Sequence, residues 1–381
     1  MNDFTYYNPT KIEFGKGKEK KIGTYIKEAG YDSVLLVYGT GSIKKGTLYD
    51  DTIASLKEAG VTFEEFGGIV SNPVLSKVQE GVKIAKEKKV QAVLGVGGGS
   101  VADSVKAIAA GAKYDGDVWD FFIQKAQITE ALPVFTVMTL AATASEMNGN
   151  SVITKEDTQQ KYSISSVLVN PVVSVINPEL MATVSKDYLA YSAVDAIAHT
   201  IEVYFTATSH PNFNSRIVEA IIKTIMETTE ILIENPNDYE ARGEFAWAAT
   251  QALNGLTPAG THGGNFPNHM IEHALSALYN VPHGAGLSVV IPAWMKWYKE
   301  KNISQFERFA KEVFDLKDAD AGITALESWF EKIGSPVTLK QAGIPEEGIA
   351  EIADNAAELA ALWGIGELYN SETIAEILKK A

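Results

Sequence analysis

Cysteine is absent from the 381-residue chain. That excludes disulfides, thiol catalysis and thiolate metal ligands, and it fits a reducing cytoplasm. Any metal must be held by His, Asp or Glu. Basic charge is in deficit too: 33 Lys and Arg face 48 Asp and Glu, a formal net charge of -15. A field of that sign repels nucleic acid and anionic lipid, so neither is an expected partner. No apolar run is long enough to span a membrane, and the N-terminus lacks a basic start followed by an apolar core. Histidine is scarce, at 6 residues, so where each one falls is informative.

The length exceeds what one ordinary hydrophobic core supports, which predicts two domains. The first half alternates between strand and helix patterns. An aromatic strand is expected at Phe4–Tyr7 and another at Lys11–Phe14, followed by a lysine-rich helix over 17–29 that Gly30 ends. Ser33–Val37, reading SVLLV, has the pattern of a buried parallel strand, with Gly39 and Gly41 in the turn after it. A helix over 48–59, a strand from Val61 and a helix from near Pro73 to Lys88 follow. The run from Val90 then gives a strand, the triplet Gly97-Gly98-Gly99, and a helix bearing Ser100 and Asp103. Adjacent glycines let backbone close on a ligand, and the amides that open a helix attract anions. The spacing is not that of the dinucleotide fingerprint GxGxxG. Pro133–Leu140 reads as a further buried strand that feeds a loop of small and hydroxyl residues, Thr143 to Glu146. Ser151–Thr154 and 167–178 read as edge or hairpin strands.

Strands stop after Pro178, and nine segments of three- and four-residue apolar spacing follow. The predicted fold is therefore an α/β domain with a parallel sheet over 1–178 and an all-helical domain over 179–381. Within the helical part, Asp195 and His199 stand four apart, as do His269 and His273, and His283 follows closely. Residues four apart share a helix face and can grip one ion. With no thiolate, a carboxylate and imidazoles suit Fe²⁺ or Zn²⁺. Five candidate side chains compete for four places, so one histidine is not a ligand. Glu202 and Glu272 are candidates for the second coordination shell. His210 and His262 lie in Gly- and Pro-punctuated loops and carry little expectation of a direct role.

These motifs resemble the iron-containing (group III) alcohol dehydrogenases, in particular their butanol dehydrogenase and broad-specificity aldehyde reductase branch. The matching pieces are Gly97–Asp103 (GGGSVAD), Thr139–Asn148 (TLAATASEMN), Asp195–His199 (DAIAH), His269–Ser276 (HMIEHALS) and Val281–Gly286 (VPHGAG). They stand in the family's order and cover essentially the whole chain. The resemblance implies a dehydroquinate synthase-like architecture: a dinucleotide-binding α/β domain, then a helical metal-binding and substrate domain, with the metal in the cleft between them. It puts the metal ligands on Asp195, His199, His269 and His283 and leaves His273 for proton relay. It puts Gly97, Gly98, Gly99 and Ser100 around the pyrophosphate, with Asp103 supporting that loop. Thr139, Thr143 and Ser145 would line the adenine and nicotinamide side, Lys161 would reach the ribose, and Asn72 would lie near the adenosine. Where the family usually reads TGSE, this chain reads Thr143-Ala144-Ser145-Glu146, which puts a methyl group in a cofactor loop.

The turn after the first buried strand reads Tyr38-Gly39-Thr40-Gly41-Ser42-Ile43-Lys44-Lys45, with no acid to meet the ribose hydroxyls. Gly39, Ser42 and Lys45 suit a 2′-phosphate, so NADP(H) is expected over NAD(H). The expected activity is direct hydride transfer between primary alcohols such as butanol and their aldehydes, assisted by one divalent metal. A homodimer that pairs through the N-terminal domain is implied by the resemblance, and a cytoplasmic location is expected from the missing cysteines. Trp119, Phe122, Phe266 and Trp363 are candidates for an apolar substrate pocket. Rival readings are a glycerol-type polyol dehydrogenase, a lyase resembling dehydroquinate synthase, and a non-catalytic nucleotide-binding protein.

Overall fold

The structure, a computed structural model, describes residues 1–381. They gather into two units, Tyr7–Thr183 and Val184–Ala381, the second joined by Met1–Tyr6. The first unit runs β1 (Lys11–Phe14), α1 (Ile22–Glu28), β2 (Ser33–Gly39), α2 (Leu48–Glu58), β3 (Thr62–Ile69), α3 (Leu75–Lys88), β4 (Ala92–Gly97), α4 (Gly99–Ala112), α5 (Trp119–Phe122), β5 (Val134–Met138), β6 (Asn150–Lys155), β7 (Gln160–Ser165) and β8 (Pro171–Ile176). Six strands form one sheet in the order β1-β8-β5-β4-β2-β3, while β6 and β7 pair as a separate antiparallel hairpin. Every pairing in the large sheet is parallel.

Parallel strands are covered on both faces, which explains the unbroken apolar runs of β2 and β4. Val34, Leu36 and Tyr38 on one face of β2 pack with Ile22 and Ile26 of α1 and Leu56 of α2. On the opposite face Gly95 of β4 admits Val105 of α4, whose Cγ atoms lie 3.1 and 3.2 Å from where a Cβ would stand. The sheet grows outward from β2 to β3 in one direction and from β4 through β5 and β8 in the other. That reversal places the topological switch point between β2 and β4, and ligands of such sheets bind beyond the strand ends there. Gly39 ends β2 and Gly97 ends β4.

Two expectations need correction. Phe4–Tyr7 is not a strand; the edge position is taken by β1 alone, whose residues pair with Val173–Ile176. Residues 167–178 do not form an edge or hairpin strand, because β8 lies inside the large sheet between β1 and β5. The hairpin partner of β6 is β7, whose polar QKYSIS sequence gives little apolar signal.

The second unit is helical: α6 (Lys186–Thr206), α7 (Asn212–Glu234), α8 (Tyr239–Ala252), α9 (Pro267–Tyr279), α10 (His283–Tyr298), α11 (Ile303–Phe314), α12 (Ala319–Lys332), α13 (Ile349–Leu362) and α14 (Ser371–Leu378). Four start at side-chain caps: Ser185, Asp238, Asp318 and Asn370 accept hydrogen bonds from backbone N–H groups of the first turn. Pro267 occupies the first turn of α9, where its missing N–H costs no hydrogen bond. From Ser192 to Thr206, α6 is buried on all sides, which makes it the core helix of this unit. Phe205 at its end stacks on Phe306, with ring centroids 4.0 Å apart. No helix is long and apolar enough to cross a membrane.

Candidate active site

In the helical unit, α6 carries Asp195 and His199 one turn apart, α9 carries His269 and His273, and α10 opens at His283. The first four side chains are buried and His283 is partly exposed. Asp195 Oδ1 is the point of convergence. It lies 3.6 Å from His199 Nδ1, 3.7 Å from His269 Nε2 and 3.6 Å from His283 Nε2. These separations are too long for strong hydrogen bonds. They approach the spacing of about 3.4 Å between donors placed tetrahedrally around one Zn²⁺-sized ion. Asp195 Oδ1 and His269 Nε2 are buried and have no hydrogen-bond partner, a costly arrangement unless a cation satisfies them. One carboxylate and three imidazoles form a donor set of the iron or zinc type. The residues therefore fit a divalent metal.

Two buried carboxylates hold the rings in place. Glu202 accepts from the backbone N of His269 at 2.9 Å and faces His269 Nδ1 at 2.8 Å, and Asn268 donates to it at 3.0 Å. Glu272 meets His283 Nδ1 and the Ser276 hydroxyl. Each carboxylate fixes a tautomer and turns Nε2 toward Asp195. Burial opposes the charge on Asp195, yet the surrounding imidazoles outweigh it and hold the carboxyl far below its usual range. Burial likewise opposes protonation of His269, but Asp195 and Glu202 push its pKa up to about 9.

His273 lies one turn beyond His269, with its ring centroid 5.8 Å from that of His283. It groups with Glu272 and His283, and of the two histidines His283 also reaches toward Asp195 Oδ1, at 3.6 Å. Trp363 packs edge-on against it at 5.9 Å, and Phe266 packs against His269 at 5.7 Å. Trp119 and Phe122 instead belong to the α/β unit, where Trp119 stacks on both Phe122 and Tyr162. His210 pairs with Asn302, and exposed His262 serves through its backbone carbonyl, so neither joins the cluster.

In the α/β unit, α4 begins directly after β4. Gly98 is its N-cap and no side chain caps it. Two of the glycines have packing reasons as well. A Cβ on Gly97 would stand 2.5 Å from Val101 Cγ2, and one on Gly99 would stand 2.8 Å from Thr143 Oγ1. Ser100 and Thr139 are partly exposed beside this turn. Asp103 accepts from Ser145 Oγ at 2.6 Å and from the Val152 N–H at 2.9 Å, and so engages the segment between β5 and β6. Thr143 Oγ1 accepts from the Ser145 N–H at 3.2 Å. Ser145 itself is buried, with its hydroxyl engaged internally. Lys161 Nζ donates to Asn72 Oδ1 at 3.2 Å, so these two candidates meet although 89 residues apart.

Lys106 and Glu65 are not among the residues that the sequence singles out. Buried Lys106 donates to Ser145 Oγ at 2.8 Å, Asn148 Oδ1 at 3.1 Å and the Asn150 carbonyl at 2.8 Å. Glu65 on β3 corrects the expectation of no acid near the β2 turn. It accepts from the Tyr38 and Tyr49 hydroxyls at 2.9 and 2.8 Å and lies 3.7 Å from Lys44. Lys44 is further held over both rings, 4.7 and 4.4 Å from their centroids, whereas Ser42 and Lys45 are exposed.

Two family models match the chain, iron-containing alcohol dehydrogenase over residues 9–178 and the C-terminal part of that family over 189–381. The chain belongs to the iron-containing alcohol dehydrogenase family. Among its relatives is the probable NADH-dependent butanol dehydrogenase 1 of Bacillus subtilis, 41% identical over 100% of this chain and 99% of that protein. The NADPH-dependent aldehyde reductase YqhD of Escherichia coli is 34% identical over 94% of each. The crystal structure of NADH-dependent butanol dehydrogenase A from Thermotoga maritima superposes with a TM-score of 0.98 at 52% identity. That match covers 100% of this chain and 99% of the other. As a member of the iron-containing alcohol dehydrogenases, the protein is a metal-dependent, NAD(P)H-linked alcohol dehydrogenase or aldehyde reductase.

Proposed function

We propose that the protein interconverts short primary alcohols such as butanol and their aldehydes, with Asp195, His199, His269 and His283 holding one divalent metal. The observation that carries this reading is the convergence of three imidazole nitrogens on Asp195 Oδ1, itself without a hydrogen-bond partner. A metal held there supplies Lewis acidity toward the substrate oxygen, and the nicotinamide supplies or accepts the hydride. The division of labour follows: the α/β unit binds the dinucleotide, and the helical unit binds metal and substrate.

The chain's own groups do the rest. Glu202 and Glu272 hold His269 and His283 by Nδ1 so that Nε2 faces Asp195. His273, one turn beyond His269 on α9 and outside the proposed ligand set, moves the proton that accompanies alcohol oxidation. Phe266 and Trp363 present apolar surface beside these rings and favour an alkyl substrate. Gly97, Gly98, Gly99 and Ser100 offer backbone amides to the pyrophosphate at the uncapped start of α4. Asp103, Thr139, Thr143 and Ser145 shape the adjoining loop, while Lys161 and Asn72 address the ribose and adenosine. Their meeting at 3.2 Å supports a shared role.

NADP(H) is the preferred cofactor in this reading. With Lys44 committed to Glu65, the groups offered to a 2′-phosphate are Gly39, Ser42 and Lys45. The relatives' names divide on this point: four butanol dehydrogenases among them are called NADH-dependent, while the aldehyde reductase of Escherichia coli is called NADPH-dependent. The ratio of kcat/KM for NADPH and NADH decides it, and Lys45→Ala should lower that ratio. A homodimer in the cytoplasm completes the proposal. The open outer edge of β1 and the exposed Phe14 support pairing of subunits, which sedimentation tests.

The deciding experiment is metal content read beside butanal-dependent oxidation of NADPH and NADH, before and after chelation. Near-stoichiometric iron or zinc, with activity lost on chelation and restored by metal, is the expected result. Bound nucleotide without metal or turnover would remove the mechanism.

A further inference from the structure

Lys106 stands in the middle of α4, fully buried, in a unit where most lysines reach solvent. Its ammonium has three protons and three acceptors, on Ser145, Asn148 and Asn150. All three belong to the segment that leaves β5 and enters β6. One turn earlier on the same helix, Asp103 takes the complementary role. It accepts from Ser145 Oγ and the Val152 N–H, and its backbone carbonyl accepts from Ser151 Oγ at 2.7 Å. Lys106 and Asp103 therefore grip one segment by its acceptors and its donors respectively. Burial lowers the Lys106 pKa to about 8, with Asp103 and Glu146 opposing the fall, so the charge persists at neutral pH.

Such a group is hard to explain by stability alone. Replacing a buried ion pair by an apolar residue of similar volume is often neutral or stabilising. What a fully satisfied buried network does supply is one defined geometry. The segment it holds needs one. Ala144 adopts a left-handed backbone, φ 50 and ψ 20, which an L-residue reaches only at a cost. Thr143 beside it lies against the start of α4, 2.8 Å from where a Gly99 Cβ would stand. Asn148 also donates to the Thr143 carbonyl at 3.2 Å.

We propose that Lys106 is a positioning residue for dinucleotide binding, tying the Thr143–Asn150 segment to the flank of α4 so that its first residues complete the nucleotide loop around the glycine turn. This rests on the reading that the glycine turn binds the dinucleotide. Lys106 touches no ligand and acts through Ser145 and Asn148.

The test uses the full-length, metal-loaded protein and fluorescence titration with NADPH and NADH. Lys106→Met keeps length and apolar volume but removes all three donors. Asn148→Ala, the milder variant, removes one acceptor and leaves the Lys106–Ser145–Asp103 chain intact. Lys106→Met should weaken binding of both dinucleotides by about tenfold or more, with KM raised in parallel and kcat and metal content unchanged. Asn148→Ala should shift the same quantities by less, and the double variant should fall short of the product of the two effects. Unchanged affinity in a folded Lys106→Met protein would overturn the proposal. If that variant does not fold, unchanged affinity in Asn148→Ala overturns it instead. A loss confined to kcat or metal content also overturns it. Failure of the wild type to bind either dinucleotide removes the underlying reading and this inference with it.

Discussion

The candidate metal centre and the glycine turn both suit a charged ligand, but they are made of opposite materials. In the helical unit the candidate donors are side chains from α6, α9 and α10, and two of them, His269 and His283, are backed by the buried carboxylates Glu202 and Glu272. In the α/β unit the proposed donors are backbone amides at the uncapped head of α4, and side chains such as Lys106 and Asp103 hold the neighbouring segment. A site of side chains fails when one ligand is removed. A site of backbone fails when its geometry shifts. The two should therefore respond differently to substitution, and independently of each other.

The largest effect is expected from removing the shared acceptor. Asp195→Ala should abolish metal retention and turnover while leaving NADPH affinity unchanged, measured by metal analysis and nucleotide titration on one sample. Loss of both functions together would break the contrast. Next come the supporting carboxylates. Glu202→Gln and Glu272→Gln should each weaken metal affinity by about 10- to 100-fold, the usual cost of losing such a partner, read by competition with a chelator. His273→Ala belongs beside them as the opposite case, with turnover reduced, its pH profile altered and metal content intact.

Acid should loosen the metal in a defined window. The pKa of His269 is raised to about 9 by Asp195 and Glu202, and a metal competes with that proton for Nε2. Affinity should therefore increase with pH up to about 9, and titrations at several pH values check the slope. The sign for the metal-free protein is opposite. A histidine whose folded pKa lies above its unfolded value stabilises the fold fully below about 6.5, and that contribution disappears as pH rises toward 9.

Gly99→Ala acts on the other site. Its new methyl meets Thr143 Oγ1, so the cofactor KM should rise while metal content stays constant. The smallest change is expected from Ala144→Gly. Relief of left-handed strain, about 1–2 kcal/mol, is offset by roughly 0.8 kcal/mol for a buried methyl and by about 0.5–1 kcal/mol of glycine entropy. Thermal denaturation should show a near-neutral variant.

The same contrast explains what was legible in the sequence. Aspartate and histidine four apart announce a helix face, so the side chains that converge on Asp195 were already among the five candidates offered by spacing. The helical segments were legible too, because three- and four-residue apolar spacing and proline breaks are local signals. The large sheet was less so. Phe4–Tyr7 has strand-forming residues but no strand to pair with, and residues 167–178 gave no hint that β8 would lie between β1 and β5. Neighbours in a parallel sheet are chosen by crossovers, which leave no mark on the strand itself. Lys106 and Glu65 were illegible for a related reason. A lysine on a helix and a glutamate in a strand are normally solvated, and only the fold reveals the hydroxyls and carbonyls around them.

Ala144 also bears on how the protein tolerates change. At most buried positions a substitution can be rescued by a neighbour that shrinks or shifts. Here the restriction lies in the backbone, at φ 50, and the side chain is wholly enclosed. Repacking addresses the second restriction but not the first. A library saturating this codon should return alanine and glycine and little else, with β-branched residues lost first. The loop is thus a point of mutational rigidity within the α/β unit.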